Sequence, residues 1–276
     1  MADSSELFGR LIADALEAPF AGWDFSYLDG RHTASALPWD YCARVRQAVH
    51  DATSLLDVGT GGGELLASLA PLPPSTYATE AYPPNVPVAR ERLAPLGVTV
   101  VDTSEDEENR HLPFADAQFD LIINRHDCWD DRELWRILRD GGRFITQQCG
   151  GDGEVELVQW FVGRGNARPM DWNAARASRQ LQEAGLVVTD AQEASPQSTF
   201  ADVGAVVYYL RAIPWLVEDF SVARYRDRLL ALHEHIQQHG GFTVTDQRFL
   251  IEAVKPGAAP GSGTGSLPVG GVGPPR

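Results

Sequence analysis

The sequence predicts an α/β protein: a doubly wound, mostly parallel seven-stranded sheet with helices on both faces and an N-terminal helical cap. Three observations predict it. Short apolar runs at 54–58, 76–79, 98–101, 119–123 and 143–147 alternate with helical patterns, the rhythm of a parallel sheet covered on both faces. The first run ends in a cluster of glycines that opens a helix. Two more apolar runs, 186–190 and 248–254, complete the strand count.

The elements follow in order. Residues 4–18 place Leu7, Leu11, Ile12, Ala15 and Leu16 on one side of a helix. An aromatic stretch from Gly22 to Tyr27 and a second helix over about Asp40–His50 complete the cap, residues 1–50. Ser54–Val58 is the first strand, and Glu64–Leu69 begins the helix after it. Thr76–Thr79 is the second strand, and Pro83-Pro84 suits the first turn of a helix running to Leu93. Val98–Val101 and Phe119–Ile123 are strands three and four. Asp130–Arg139 reads as a helix closed by Gly141-Gly142, with Arg143–Gln147 as the fifth strand. The main domain, 51–254, carries insertions at about 150–240. They hold helices near Asp171–Ala184, Val203–Ile213 and Val222–Gln238, and a strand near Leu186–Asp190. From 255 to 276 the chain is Gly, Pro, Ala and Ser with almost no apolar bulk, so disorder is expected there.

Composition narrows the function. A chain of 276 residues with 43% hydrophobic content can bury a substantial core. A net charge of −15 repels phosphate backbones and anionic lipid, which disfavours nucleic acid as a partner. Cys42, Cys128 and Cys149 show no CxxC spacing, so neither zinc nor a disulfide framework is expected. His233, His235 and His239 fall on an expected surface helix with no compact ligand triad, and no metal site is predicted. The N-terminus lacks a signal-peptide pattern, and apolar stretches such as Val203–Leu210 are too short to cross a bilayer. A cytoplasmic protein without membrane association is expected.

The chemistry is concentrated at Asp57-Val58-Gly59-Thr60-Gly61-Gly62-Gly63-Glu64. Glycines here let the backbone approach a ligand where a Cβ would collide. A dinucleotide fingerprint from Gly59 and Gly61 needs its third glycine at 64, where this chain has Glu64. A carboxylate sits badly beside a pyrophosphate. No Gly-Lys-Ser/Thr follows, so the P-loop pattern fails as well. The loop therefore suits a nucleoside-like ligand without bridging phosphates. About twenty residues on, the second strand ends in Thr79-Glu80 followed by Ala81, where an acid accepts hydrogen bonds from ribose hydroxyls.

Asp57–Gly63 resembles the first motif of class I S-adenosylmethionine-dependent methyltransferases. Leu112-Pro113-Phe114 with Phe119-Asp120-Leu121-Ile122 resembles the "LPF…FDLI" segment of that class, and Leu138–Phe144 its helix–turn–strand segment, with Asp140 in place of the usual proline. The likeness is specific over about residues 50–150. A broader likeness to bacterial methyltransferases runs from Trp23 to Val254. The resemblance implies a Rossmann-like fold and S-adenosyl-L-methionine as cofactor. The residues it would place on that cofactor are Asp57, Gly59, Thr60, Gly61, Gly63, Glu80, Ala81, Asn124 and Arg125, with Glu108 or Asn109 at the adenine. The upstream run Glu105–Glu108 departs from the family's usual single acid.

Methyl transfer from a sulfonium is an in-line displacement, for which alignment and water exclusion matter most. Ligands of open parallel sheets lie beyond the carboxyl ends of the strands. The fourth strand ends Asn124-Arg125-His126-Asp127. His126 is the candidate base. Asn124 is the second catalytic candidate, able to hold cofactor or acceptor, and Arg125 could clamp an acidic substrate. Equally, Asn124 caps the strand end while His126 and Asp127 form a structural pair. Gln147 and Gln148 end the fifth strand in the same region. Trp23, Tyr27, Trp39, Trp172, Tyr208, Tyr209 and Trp215 are either core or a lid over a partly flat acceptor. Three readings stay open: methylation of a small molecule on oxygen, nitrogen or carbon; methylation of RNA; and cofactor binding without catalysis. The first is preferred on charge.

Overall fold

A computed structural model of the chain describes residues 4–20, 23–106, 108–163 and 171–257. Its main sheet contains β2 (Ser54–Val58), β3 (Ser75–Glu80), β4 (Thr99–Asp102), β5 (Phe119–Arg125), β6 (Leu138–Cys149), β7 (Val187–Ala194) and β10 (Arg248–Val254). They pair in the order β4-β3-β2-β5-β6-β10-β7. The five strands from β4 to β6 are parallel, and β10 lies antiparallel to both β6 and β7. Strand order reverses between β2 and β5, which opens a crevice beyond their carboxyl ends.

Neighbouring residues of one strand point to opposite sides, and helices cover both faces of the central strands. Leu55, Leu121 and Ile145 pack with Val45 and Val49 of α2 (Tyr41–Asp51), Leu66 of α3 (Glu64–Ser68) and Leu93 of α4 (Asn85–Leu93). Leu56, Ile122 and Phe144 pack with Leu134 of α5 (Asp131–Ile137) and Leu181 of α7 (Ala174–Glu183). Each such fully buried side chain contributes about 1.5–3 kcal/mol. Asp40, Asp130 and Asn173 cap α2, α5 and α7 by accepting from backbone N–H groups.

A second cluster of elements, the small lobe, has its own core. Here β1 (His32–Ala34), β8 (Gln197–Phe200) and β9 (Phe242–Thr245) form a small antiparallel sheet in the order β1-β8-β9. Around it lie α1 (Ser4–Glu17), α6 (Val155–Val162), α8 (Val203–Ala212) and α9 (Arg226–His239). Phe8, Ile12, Phe161, Leu229 and Ile236 share its core. The expected N-terminal cap is therefore divided: α1 joins the lobe, whereas α2 covers the main sheet.

Four expectations are corrected. His233 is fully buried in the lobe, its Nε2 3.2 Å from Ser4 Oγ and its ring beside Phe8, because α9 is covered by α1 and not by solvent. Gly141-Gly142 does not end a helix; β6 begins at Leu138 and runs through it. Helix α6 and the small sheet were not foreseen. Lys255, assigned to the disordered tail, is buried, and its Nζ donates to Trp135 O and Leu138 O, each at 2.8 Å. The rest of that expectation, 258–276, lies outside the described residues. Among the described residues no helix is long and apolar enough to cross a membrane, and no three ligating side chains are grouped for a metal ion.

Candidate active site

Beyond β2 the chain turns through Gly59, Gly61 and Gly63 at φ of 71°, 64° and 82°, a region costly for any residue with a Cβ. Thr60 N donates to Thr79 O at 2.9 Å and Gly59 N to Thr79 Oγ1 at 3.2 Å, which fixes the loop to the end of β3. A Cβ on Gly59 would overlap the Asp127 carboxylate, and one on Gly61 would come 2.5 Å from Trp23 Cδ1. The loop thus admits close approach. Glu64 is ion-paired with Arg92 of α4, which also bonds Gly62 O.

Three carboxyl groups converge on this loop. Asp57 is buried at the end of β2 and pushed up to about 7, first by burial and then by Asp127 and Glu80. Burial also raises Glu80, against stabilising N–H donors of Tyr82, Gly61 and Ala81; the Tyr82 N–H lies 2.8 Å from Oε1. Burial raises Asp127 as well. Around them, both side-chain polar atoms of Asn85, Thr103 Oγ1 and Asn109 Oδ1 are buried without a hydrogen-bond partner, while the Thr60 hydroxyl faces the Asp57 carboxyl. These residues follow β2, β3 and β4 at their carboxyl ends. Of the two adenine candidates, Glu108 is exposed and paired with Arg110, whereas Asn109 is buried, its Nδ2 donating to Cys128 O at 3.1 Å. Ala81 is half-buried next to Glu80.

At the end of β5, Asn124 is fully engaged. Its Nδ2 donates to Val58 O at 3.1 Å, and its Oδ1 accepts from Thr146 Oγ1 at 3.0 Å and Gln148 Nε2 at 2.5 Å. These bonds tie β2, β5 and β6 together. Arg125 is exposed at the strand end. His126 has φ 62° and lies 3.4 Å from Gln147 Nε2 through its own Nε2. Crowding of its ring by the crevice walls, then the charges of Arg125 and Arg248, hold its imidazole down at about 3, although the residue keeps an exposed edge to solvent. Such a ring is neutral at pH 7 and a weak base. Gln147 Oε1 accepts from Trp39 Nε1 at 2.9 Å.

Beside His126 stands a polar group of which the sequence pointed only to Tyr209: Glu154, Tyr209, Asp246 and Arg248. Tyr209 donates its hydroxyl to Glu154 Oε1, and Arg248 Nη2 is 3.5 Å from Asp246 Oδ2. Only the glycine-rich turn at 150–153 hinted at an unusual backbone there. The aromatic candidates separate. Trp23 lies over Gly61 and meets Phe25 and Trp215. Tyr27 and Tyr208 stack on each other at 4.4 Å. Trp172 packs against Trp129 and Phe249 on the sheet's other face, away from this group.

Residues 56–146 match the family model described as "Methyltransferase domain". Over these residues the chain is similar to a methyltransferase domain. A curated relative, the protein-L-isoaspartate O-methyltransferase of Alcanivorax borkumensis, is 34% identical over 105 residues. That match takes in 38% of this chain and 47% of the relative, so the chain spans about half the length of the curated protein it matches. Two solved structures share the fold. One is a candidate methyltransferase of Bacillus halodurans (TM-score 0.55, 20% identity, 78% of this chain and 98% of that one). The other is the YcgJ protein of Bacillus subtilis (TM-score 0.54, 18% identity, 79% and 99%).

The residues present fit S-adenosylmethionine, the cofactor that the sequence motifs imply. Gly59 and Gly61 leave the loop backbone close to Asp127 and Trp23, where a Cβ would collide with either side chain. Orphaned hydroxyl and amide groups border the same crevice, and buried polar groups without partners call for a ligand or water. The three carboxyls favour a cationic ligand and oppose a bridging phosphate.

Proposed function

We propose that this protein transfers the methyl group of S-adenosylmethionine to a small-molecule acceptor. The observation that carries the reading is the convergence of Asp57, Glu80 and Asp127 on the loop of Gly59, Gly61 and Gly63. When bound, the cofactor supplies a sulfonium methyl whose bonding pair stays on sulfur as the methyl departs. The chain's own residues hold and align. In this reading the backbone of Gly59, Thr60, Gly61 and Gly63 lines the cofactor, and Asp57 and Asp127 face its positive charges. Glu80, beside Ala81, accepts from the ribose hydroxyls, and Asn109 presents its unpartnered Oδ1 to the adenine. Arg125 edges the entrance.

Asn124 acts through Val58, Thr146 and Gln148 as a positioning residue. His126, neutral and weakly basic, is a hydrogen-bonding wall of the acceptor side. The closing of Trp23 over Gly61 excludes water from the transfer. The acidic chain and the acidic crevice both oppose a polyanionic acceptor.

Labelled S-adenosylmethionine incubated with fractionated metabolite and RNA pools tests the proposal. Label entering a metabolite fraction is the expected result. Label entering RNA alone overturns the acceptor class, and absence of cofactor binding by calorimetry overturns the whole reading.

A further inference from the structure

Past His126, the floor of the small lobe meets the carboxyl end of β6 and the start of β10. Five side chains from separate elements come together there. Glu154 precedes α6, Tyr209 lies on α8, His32 on β1 and Ser198 on β8, and Asp246 links β9 to β10. Glu154, Asp246 and Ser198 are 7%, 4% and 1% exposed. The segments are bound by backbone hydrogen bonds: Glu154 N donates to Thr245 O and Asp246 N to Pro196 O. Residues opposite each other in an antiparallel ladder share a face. The pairs His32–Phe200 and Ser198–Val244 therefore bring His32 and Ser198 to the side on which Phe200 and Val244 are buried.

The group is not satisfied internally. Ser198 Oγ and His32 Nε2 are buried without a hydrogen-bond partner, and Asp246 Oδ1 has no donor beside it except a protonated Glu154. A buried polar atom left unpaired costs about 1–3 kcal/mol, so these atoms call for a ligand or an ordered water. Charge says which. Two carboxyls, Glu154 and Asp246, face one guanidinium, Arg248, and that cation already spends Nη2 on Asp246 and Nη1 on Gln247 O at 3.1 Å. With both acids ionised, one negative charge is uncompensated. The walls are apolar and flat, with the His32 ring stacked on Phe200 at 4.3 Å and Tyr209 5.6 Å from it.

We infer that Glu154, Asp246, Ser198 and His32 form the seat for an ammonium group, which makes the methyl acceptor an amine-bearing small molecule. The inference rests on the methyl-transfer reading and names the substrate class of the same crevice. An ammonium supplies three donors to the carboxylates and the hydroxyl and replaces the missing positive charge. Burial holds Glu154 at about 7, above the ordinary carboxylate range, although Tyr209 donates to it; Asp246 adds to the rise and Arg248 opposes it. Cys149 of β6 also faces Arg248, Glu154 and Asp246. Seating a cation therefore drives the proton off Glu154.

The test uses the full chain saturated with S-adenosylhomocysteine and three probes of matched shape: phenethylamine, 2-phenylethanol and phenylacetate. Calorimetry should show phenethylamine binding at least tenfold tighter than either of the others. It should also show, from buffers of different ionisation enthalpy, release of about half a proton at pH 7. Glu154→Gln and Asp246→Asn should each weaken the amine at least fivefold and leave S-adenosylhomocysteine affinity within twofold. In Glu154→Gln the proton release should vanish. Ser198→Ala, which deletes only an unpartnered hydroxyl, should weaken the amine about threefold and keeps the test readable if an acid variant does not fold. Undetectable amine binding overturns the inference, as does neutral or anionic probe binding equally well, or variants that bind the amine like the native chain. Failure of S-adenosylhomocysteine to bind overturns the methyl-transfer reading first, and this inference with it.

Discussion

One methyl group is enough to test the glycine loop. Gly59→Ala adds a Cβ at φ 71° that overlaps the Asp127 carboxylate, so the variant is expected to bind S-adenosylhomocysteine at least tenfold more weakly, about 1.4 kcal/mol. Calorimetry reads this directly; native affinity would remove the loop from the binding surface. A finer test concerns charge. Asp127→Asn keeps the shape and removes one carboxylate from the three that face the loop. It should weaken S-adenosylmethionine about tenfold and S-adenosylhomocysteine, which lacks the sulfonium, only about twofold. Equal losses for the two ligands would mean that the carboxyls do not sense the sulfonium charge. Much of this was legible in sequence, because close backbone approach demands glycine and leaves a pattern. Asn109 against Glu108 was not legible. Which of two adjacent polar residues turns inward depends on the turn at Asn109, at φ 54°.

Strands β2 and β5 were readable as elements because each is buried on both faces and carries a short apolar run, Leu55-Leu56 and Leu121-Ile122-Ile123, whereas only the Arg143–Gln147 part of β6 was recognised. The small sheet was not. Its strands have three or four residues, and their partners lie far off in sequence, His32 with Phe200 and Phe242 with Phe200. Those long-range pairings gather Glu154, Asp246 and His32, so the candidate acceptor side was invisible for the same reason. One link holds the β1 segment to the lobe. Arg31 donates Nε to Asp202 Oδ2 at 2.8 Å and Nη2 to Asp202 Oδ1 at 2.7 Å, while Asp202 caps α8 through Ala205 N at 2.9 Å. Both side chains are largely covered, at 21% and 17% exposure. Arg31→Met keeps the aliphatic stem and strands the cap carboxylate, for an expected loss of about 2–3 kcal/mol. The urea midpoint should fall with an unchanged m-value. A shift below about 0.5 kcal/mol would mean that the lobe does not depend on this pair.

The whole molecule carries the buried acids as a pH dependence of its stability. Asp57 and Glu154 are held at about 7, and His126 at about 3. Their unfolded values are about 3.9, 4.3 and 6.5. For the two acids, the folded state binds more protons than the unfolded between about pH 4 and 7. Stability therefore falls as pH rises through that window. His126 has the opposite sign: its contribution is complete above about pH 6.5 and is lost as pH falls towards about 3. Between about pH 4.5 and 6.5 the histidine offsets only part of one acid's contribution, because its exposed edge lets solvent screen the shift. Above that only the acids remain, and the decline is steepest just below pH 7, up to about 1.4 kcal/mol per pH unit for each proton. The thermal midpoint of the ligand-free chain should accordingly drop between pH 6 and 8. Asp57→Asn and Glu154→Gln should each flatten the slope by about one proton's worth, because each removes one titrating group. S-adenosylmethionine should flatten it as well, since a cation beside Asp57 lowers the pKa that burial raised. A native profile that stays level from pH 6 to 8 would mean that neither acid is held protonated by its burial. A slope unchanged in both variants would assign it to the repulsion of the net −15 charge instead.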